Sequence, residues 1–269
     1  MTRKLNILTT NYLIFLILLF LSGAISGVEG EIVYYLAFAV PFVSVMYLTR
    51  NDSVRCENLF SMNSERIRFT LPLIAPTVMT VAAVSILTSL VIYAMTGRTN
   101  SIDLGDSFVL AIISHAILPA LLEEMLFRYL PYRILAPHSK RCAVIVSAFF
   151  FALVHNDIFS IPYAFFAGVI LMAIDLATGS VIPSIIIHFI NNALSVGLIV
   201  YEDNAAFAPT LYVILAAFTL LSSVFILKKR KKYSEAISLA FDRGEGVKFT
   251  VEMLFFAVLT LILAFSSLL

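Results

Sequence analysis

Charge is what this chain has least of. Only 13% of its 269 residues are Asp, Glu, Lys or Arg, and they balance to a net +1. A nucleic-acid binder or a partner of acidic surfaces concentrates basic residues on one face. Here they are scattered between apolar runs, which argues against both. Cysteine is almost missing too. Cys56 and Cys142 lie far apart, without metal-site spacing and beside stretches expected on the cytoplasmic side, so neither a disulfide nor a cysteine metal centre is expected. No G-x-S-x-G, H-E-x-x-H, phosphate loop or dinucleotide fingerprint occurs. There is also no internal repeat, low-complexity linker or separate soluble segment.

What fills the chain is hydrocarbon. Hydrophobic residues make up 61% of it and the mean hydropathy is +0.98, well beyond a soluble domain. The expected fold is all-α, a polytopic membrane bundle in one integral domain over residues 1–269. Nearly uncharged stretches run at 7–28, 32–49, 69–96, 107–130, 142–155, 158–174, 180–200, 207–227 and 250–269. About 20 residues cross 30 Å of hydrocarbon. The pair 142–155 and 158–174 is short, with Asn156-Asp157 between them, so eight or nine transmembrane helices are expected. The first stretch is read as a retained span, with Gly23 and Gly27 as a weak helix-packing pair.

The basic residues orient the bundle. With the N-terminus cytoplasmic, nine spans leave every Lys and Arg except Arg98 and Arg128 on the inner side, including the run "KKRKK" at 228–232. The segment after that run is expected to hold an interfacial helix near anionic headgroups.

Against this background "LLEEMLFRYL", residues 121–130, is anomalous. Each charge near the middle of a spanning helix costs roughly 2.5–3.5 kcal/mol. Glu124 and Arg128 are spaced i, i+4 and can neutralise each other on one helix face, which leaves Glu123 without compensation. Threading the spans puts Glu123 about 15 Å, His155 about 20 Å, His188 about 12 Å and Asn192 about 18 Å above the inner face. Independent polar accidents would not share a depth. His188 and Asn192, again i and i+4, point the same way. Pro119 frees the carbonyl of His115, as irregular backbone lining a cavity would. His115 itself reads as a packing residue, Asp175 as the inner end of the sixth span, and the phenylalanines of "SAFFFALVH" as packing.

The patterns "EEMLFR" (Glu123, Glu124, Arg128), "FALVH" (Phe151, His155) and "HFINN" (His188, Asn192) resemble the EExxxR, FxxxH and HxxxN motifs of the CAAX protease and bacteriocin-processing family (CPBP, or Abi), intramembrane endopeptidases related to the Rce1 prenyl-protein peptidase. The resemblance covers about residues 107–200, the motif-bearing core. It implies that Glu123 and His155 activate a water for attack on a peptide carbonyl. His188 and Asn192 would stabilise the oxyanion, with Glu124 and Arg128 completing the site. The short interval from His155 to His188 looks prokaryotic, which implies a multi-pass protein of a prokaryotic cell membrane. The implied partners are a membrane-associated peptide or protein substrate and the lipid bilayer, with no nucleic acid. No cofactor is favoured, but zinc held by Glu123, His155 and His188 stays open. So do an ion-coupled transporter and a non-catalytic bacteriocin-immunity scaffold.

Overall fold

The computed structural model describes residues 2–50, 59–98, 104, 107–155, 158–241, 253, 256–258 and 260–261. Among these residues the chain is helical throughout, without strands. The helices are α1 (Thr2–Ala24), α2 (Val28–Leu48), α3 (Ser64–Thr96), α4 (Phe108–Leu135), α5 (Lys140–Leu153), α6 (Ile161–Thr178), α7 (Ile182–Val200), α8 (Phe207–Lys228) and α9 (Arg230–Ala240). Seven of them, all but α5 and α9, are long and apolar enough to cross a membrane. This is an integral, multi-pass helical bundle.

Helix α5 is short for a physical reason. Ten of its 14 residues are buried, so it is surrounded by protein and need not match the hydrocarbon thickness. Its close partner is α6. A Cβ built on Gly168 would stand 2.7 Å from Cα of Ala148, so only glycine allows the two backbones this approach. Tyr12 of α1 packs on Phe127 of α4 and Phe150 of α5, with centroids 5.1 and 4.6 Å apart. Phe256 stacks edge-on against Phe150 at 4.8 Å and, with Met253 and Thr260, is fully buried, whereas Val258 and Leu261 are exposed, so the described part of the expected 250–269 span turns one face to the core. The rest of that span, Cys56 and the Asn156-Asp157 junction lie outside the described residues. Helix α8 has no buried residue and rests on α3 as an outer layer.

One expectation needs correction. Gly27 is not on the α1 face. It is the residue before α2, with φ of +81°, so the chain turns there and the Gly23/Gly27 packing pair does not exist. Helix α6 ends as expected just after Asp175, at Thr178, with Gly179 in the left-handed conformation.

A helix, α9, is present where an interfacial one was expected. Its Tyr233 stacks on Phe69 of α3 at 4.7 Å and Lys232 pairs with Glu65 at 3.0 Å.

Candidate active site

Helix α4 carries the acidic residues, and its backbone is irregular on both sides of them. π-helical turns occupy Ile113–Ile117 and Met125–Tyr129, and normal α-helix restarts at Leu118 and Leu130. Each restart puts a proline, Pro119 or Pro131, at the second helical position, where a missing N–H is tolerated. The carbonyls loosened by the second π turn are satisfied from other helices. Ser147 of α5 donates its hydroxyl to Phe127 O at 2.5 Å, and Tyr12 of α1 donates to Leu126 O at 3.0 Å. Irregular backbone inside a membrane bundle survives only with such partners.

That turn holds Arg128 fully buried. Its Nε lies 3.3 Å from Oε2 of Glu124, itself fully buried, and its guanidinium carbon sits 3.9 Å from the centroid of the Phe151 ring. The pairing read from the i, i+4 spacing is therefore present. It is only half of what Glu124 does, because Oε1 accepts from Nδ1 of His188 on α7 at 2.7 Å. An ionised carboxylate can only accept, so the proton is on Nδ1 and Nε2 faces away from Glu124. On that other side lies Glu123, with Oε2 3.8 Å from Nε2 of His188. One imidazole thus stands between two adjacent carboxylates from another helix.

His155 enters just beyond the end of α5. Its Nδ1 lies 2.7 Å from the carbonyl of Phe151. A carbonyl can only accept, so Nδ1 carries the hydrogen and Nε2 keeps its lone pair. The Phe151 ring is the common wall, 4.8 Å from the His155 ring and 5.7 Å from that of His188. The ring is buried inside the protein. Asn192 comes in by register, one helical turn beyond His188 on α7, with its carboxamide oxygen accepting from Asn191 at 3.3 Å. Contacts therefore join Glu123, Glu124, Arg128 and His188 directly, His155 through Phe151, and Asn192 by helix geometry alone.

Glu123 remains the carboxylate without a counter-charge partner of its own. Its side chain is 19% exposed and Oε2 makes no hydrogen bond among the described residues. Tyr34 of α2 lies near enough to feel the Glu123 charge, and sequence reading missed it, because one tyrosine in an apolar run carries no spacing signal. Asp175 lies in the last turn of α6, where the end of that span was expected; it is fully buried, and Oδ1 accepts from the backbone N–H of Ser184 at 3.1 Å. Among the described residues no group of three or more His, Cys, Asp or Glu side chains is arranged to hold a metal ion.

Residues 105–194 match the family model described as Type II CAAX prenyl endopeptidase Rce1-like. No match was found among curated proteins or among solved structures. The matched segment contains all six candidate residues, from Glu123 to Asn192, and an Rce1-like relationship points to CAAX-type protease activity in the membrane. The relationship read from the three motifs is thus the one the family model reports: over residues 105–194 this chain resembles the Type II CAAX prenyl endopeptidases.

Proposed function

We propose that the protein is an intramembrane endopeptidase that hydrolyses membrane-associated peptides, CAAX-type prenylated proteins or leader and pheromone peptides, with a water activated by Glu123. The observation that carries this reading is the His188 imidazole held between Glu124 at 2.7 Å and Glu123 at 3.8 Å inside an apolar bundle. A pure scaffold has no use for a second carboxylate beside an already paired histidine.

Each residue then has a task. Glu123, helped by the free Nε2 of His155, takes a proton from water as its oxygen attacks the scissile carbonyl carbon. The negative charge that develops on the carbonyl oxygen is met by the N–H of Asn192 and, when protonated, Nε2 of His188. Collapse of the tetrahedral intermediate breaks the C–N bond, and the proton held by Glu123 passes to the leaving amine. Glu124 sets the tautomer and direction of His188, and Arg128 holds Glu124. The charge pattern of the loops supports a cytoplasmic N-terminus and delivery of substrate from the inner leaflet of a prokaryotic cell membrane.

The test is cleavage of internally quenched peptides by protein in lipid nanodiscs, one set farnesylated at a CAAX cysteine and one set of unmodified leader type. Wild type is expected to cut one set and Glu123→Gln neither. Cleavage is expected to persist after exhaustive chelation. Activity lost on chelation and restored by added zinc would replace the glutamate mechanism with a metal one while keeping the peptidase. Cleavage that is unchanged in Glu123→Gln would remove the site altogether.

A further inference from the structure

The basic run at 228–232 has no part in the proposed reaction. Span α8 ends at Lys228 and span α3 begins at Ser64, and α9 ties these two ends together. Lys232 pairs with Glu65 at 3.0 Å, while Tyr233 stacks on Phe69 at 4.7 Å and donates its hydroxyl to Phe69 O at 3.3 Å. The run therefore lies at the membrane face where α8 ends and α3 begins.

An amphipathic helix lying in a membrane face sinks its apolar side into the acyl boundary. Helix α9 does otherwise. Its covered residues Tyr233, Ala236, Ile237 and Ala240 are spaced i, i+3, i+4 and i+7, and α9 packs against α6 and α5. Tyr233 and Ala240 are only 4% and 0% exposed. The apolar stripe is taken up by the protein, which leaves charge alone for the bilayer.

All of Lys228, Lys229, Arg230, Lys231 and Lys232 are exposed. Lys232 has Glu65, and Lys229 lies over the Phe225 ring at 4.6 Å. Lys228, Arg230 and Lys231 make no hydrogen bond or ion pair among the described residues, and the first turn of α9 contains no acid to offset them. Unpaired cations crowded on a docked helix repel one another until an anionic surface meets them. We propose that Lys228, Arg230 and Lys231, held at the membrane face by the docking of α9 on α3, α5 and α6, form an electrostatic contact for anionic phospholipid headgroups, and that this contact stabilises the folded protein. The inference is independent of the peptidase reading.

The test compares full-length protein in nanodiscs of phosphatidylcholine alone and of phosphatidylcholine mixed with phosphatidylglycerol. Wild type is expected to melt on the order of 5 °C higher in the anionic discs, as for any partner that binds the folded state. Trypsin is expected to cut the 228–232 run on the order of tenfold more slowly there, measured relative to cutting at Arg98, exposed beyond the other end of α3. Both effects are expected to vanish in molar salt, where screening acts over about 3 Å. Lys228→Gln, Arg230→Gln and Lys231→Gln combined remove no contact among the described residues, so this variant is expected to fold and to lose the melting shift. Equal melting of wild type in the two discs, or a shift kept in full by the triple variant, would overturn the proposal. Should that variant fail to fold, the trypsin ratio on wild type decides, and equal ratios in the two discs would overturn it. Inorganic phosphate that reproduces the shift in phosphatidylcholine discs at matched ionic strength would make this a site for a free anion and overturn the lipid contact.

Discussion

The two π turns of α4 begin from the same local sequence cause and end in opposite surroundings. Each is followed by a proline at the second position of the next α-helical segment. The first, Ile113–Ile117, buries only Ala116 and leaves His115 exposed. The second, Met125–Tyr129, buries Leu126, Phe127 and Arg128 and has its carbonyls answered by Tyr12 and Ser147. A proline near a loosened turn is thus a permission, not a site. What makes the second turn a site is that α1, α5 and α7 bring partners to it.

The sharpest way to break the contrast is at the arginine. Arg128→Ala leaves a fully buried Glu124 without its cation and is expected to destabilise the protein by roughly 3–5 kcal/mol, visible as a large loss of melting temperature and folded yield in detergent. Equal stability of variant and wild type would mean that the pair is not a buried one. Next in size, Ser147→Ala leaves Phe127 O without its hydroxyl donor in a dry environment. About 1–3 kcal/mol of stability is expected to go, measured by the same melt. Pro131→Ala tests the turn itself. It restores an N–H that can close an ordinary α-turn on Phe127 O and shift Arg128 in register, so cleavage is expected to drop while Pro119→Ala leaves it intact. Smallest of all, His115→Ala in the exposed first turn is expected to change stability by no more than about 0.5 kcal/mol and to leave peptide cleavage unchanged. A strong loss of activity there would make the two turns equivalent and end the comparison.

The sequence showed some of this and hid the rest along physical lines. Local relations were legible: the Glu124-Arg128 spacing, the His188-Asn192 register, and the apolar runs that became α1 to α8. The nearness of Glu123 to His188 was legible as well, because helix rise converts residue number to height. The bond from His188 to Glu124 was not, since it joins positions 64 apart and depends on which face α7 turns toward α4. Asp175 was read as the inner end of its span and does lie in the last turn of α6, but its bond to the start of α7 was hidden for the same reason, since it depends on how two helices meet. Gly27 was misread because the apolar run extends to residue 28, ahead of Glu29 and Glu31, whereas the helix already ends at Ala24.

The Gly168 approach to Ala148 has a mechanical side. With so little separation, α5 and α6 have no side-chain layer between them that could shear, so they behave as one strut. That strut carries His155 at one helix end and Asp175 near another, whereas Glu123 and His188 belong to different members of the frame. A displacement of α5 at that crossing would therefore carry α6 with it, so the ends that bear His155 and Asp175 would move together. A bulkier residue at position 168 would pry the two helices apart.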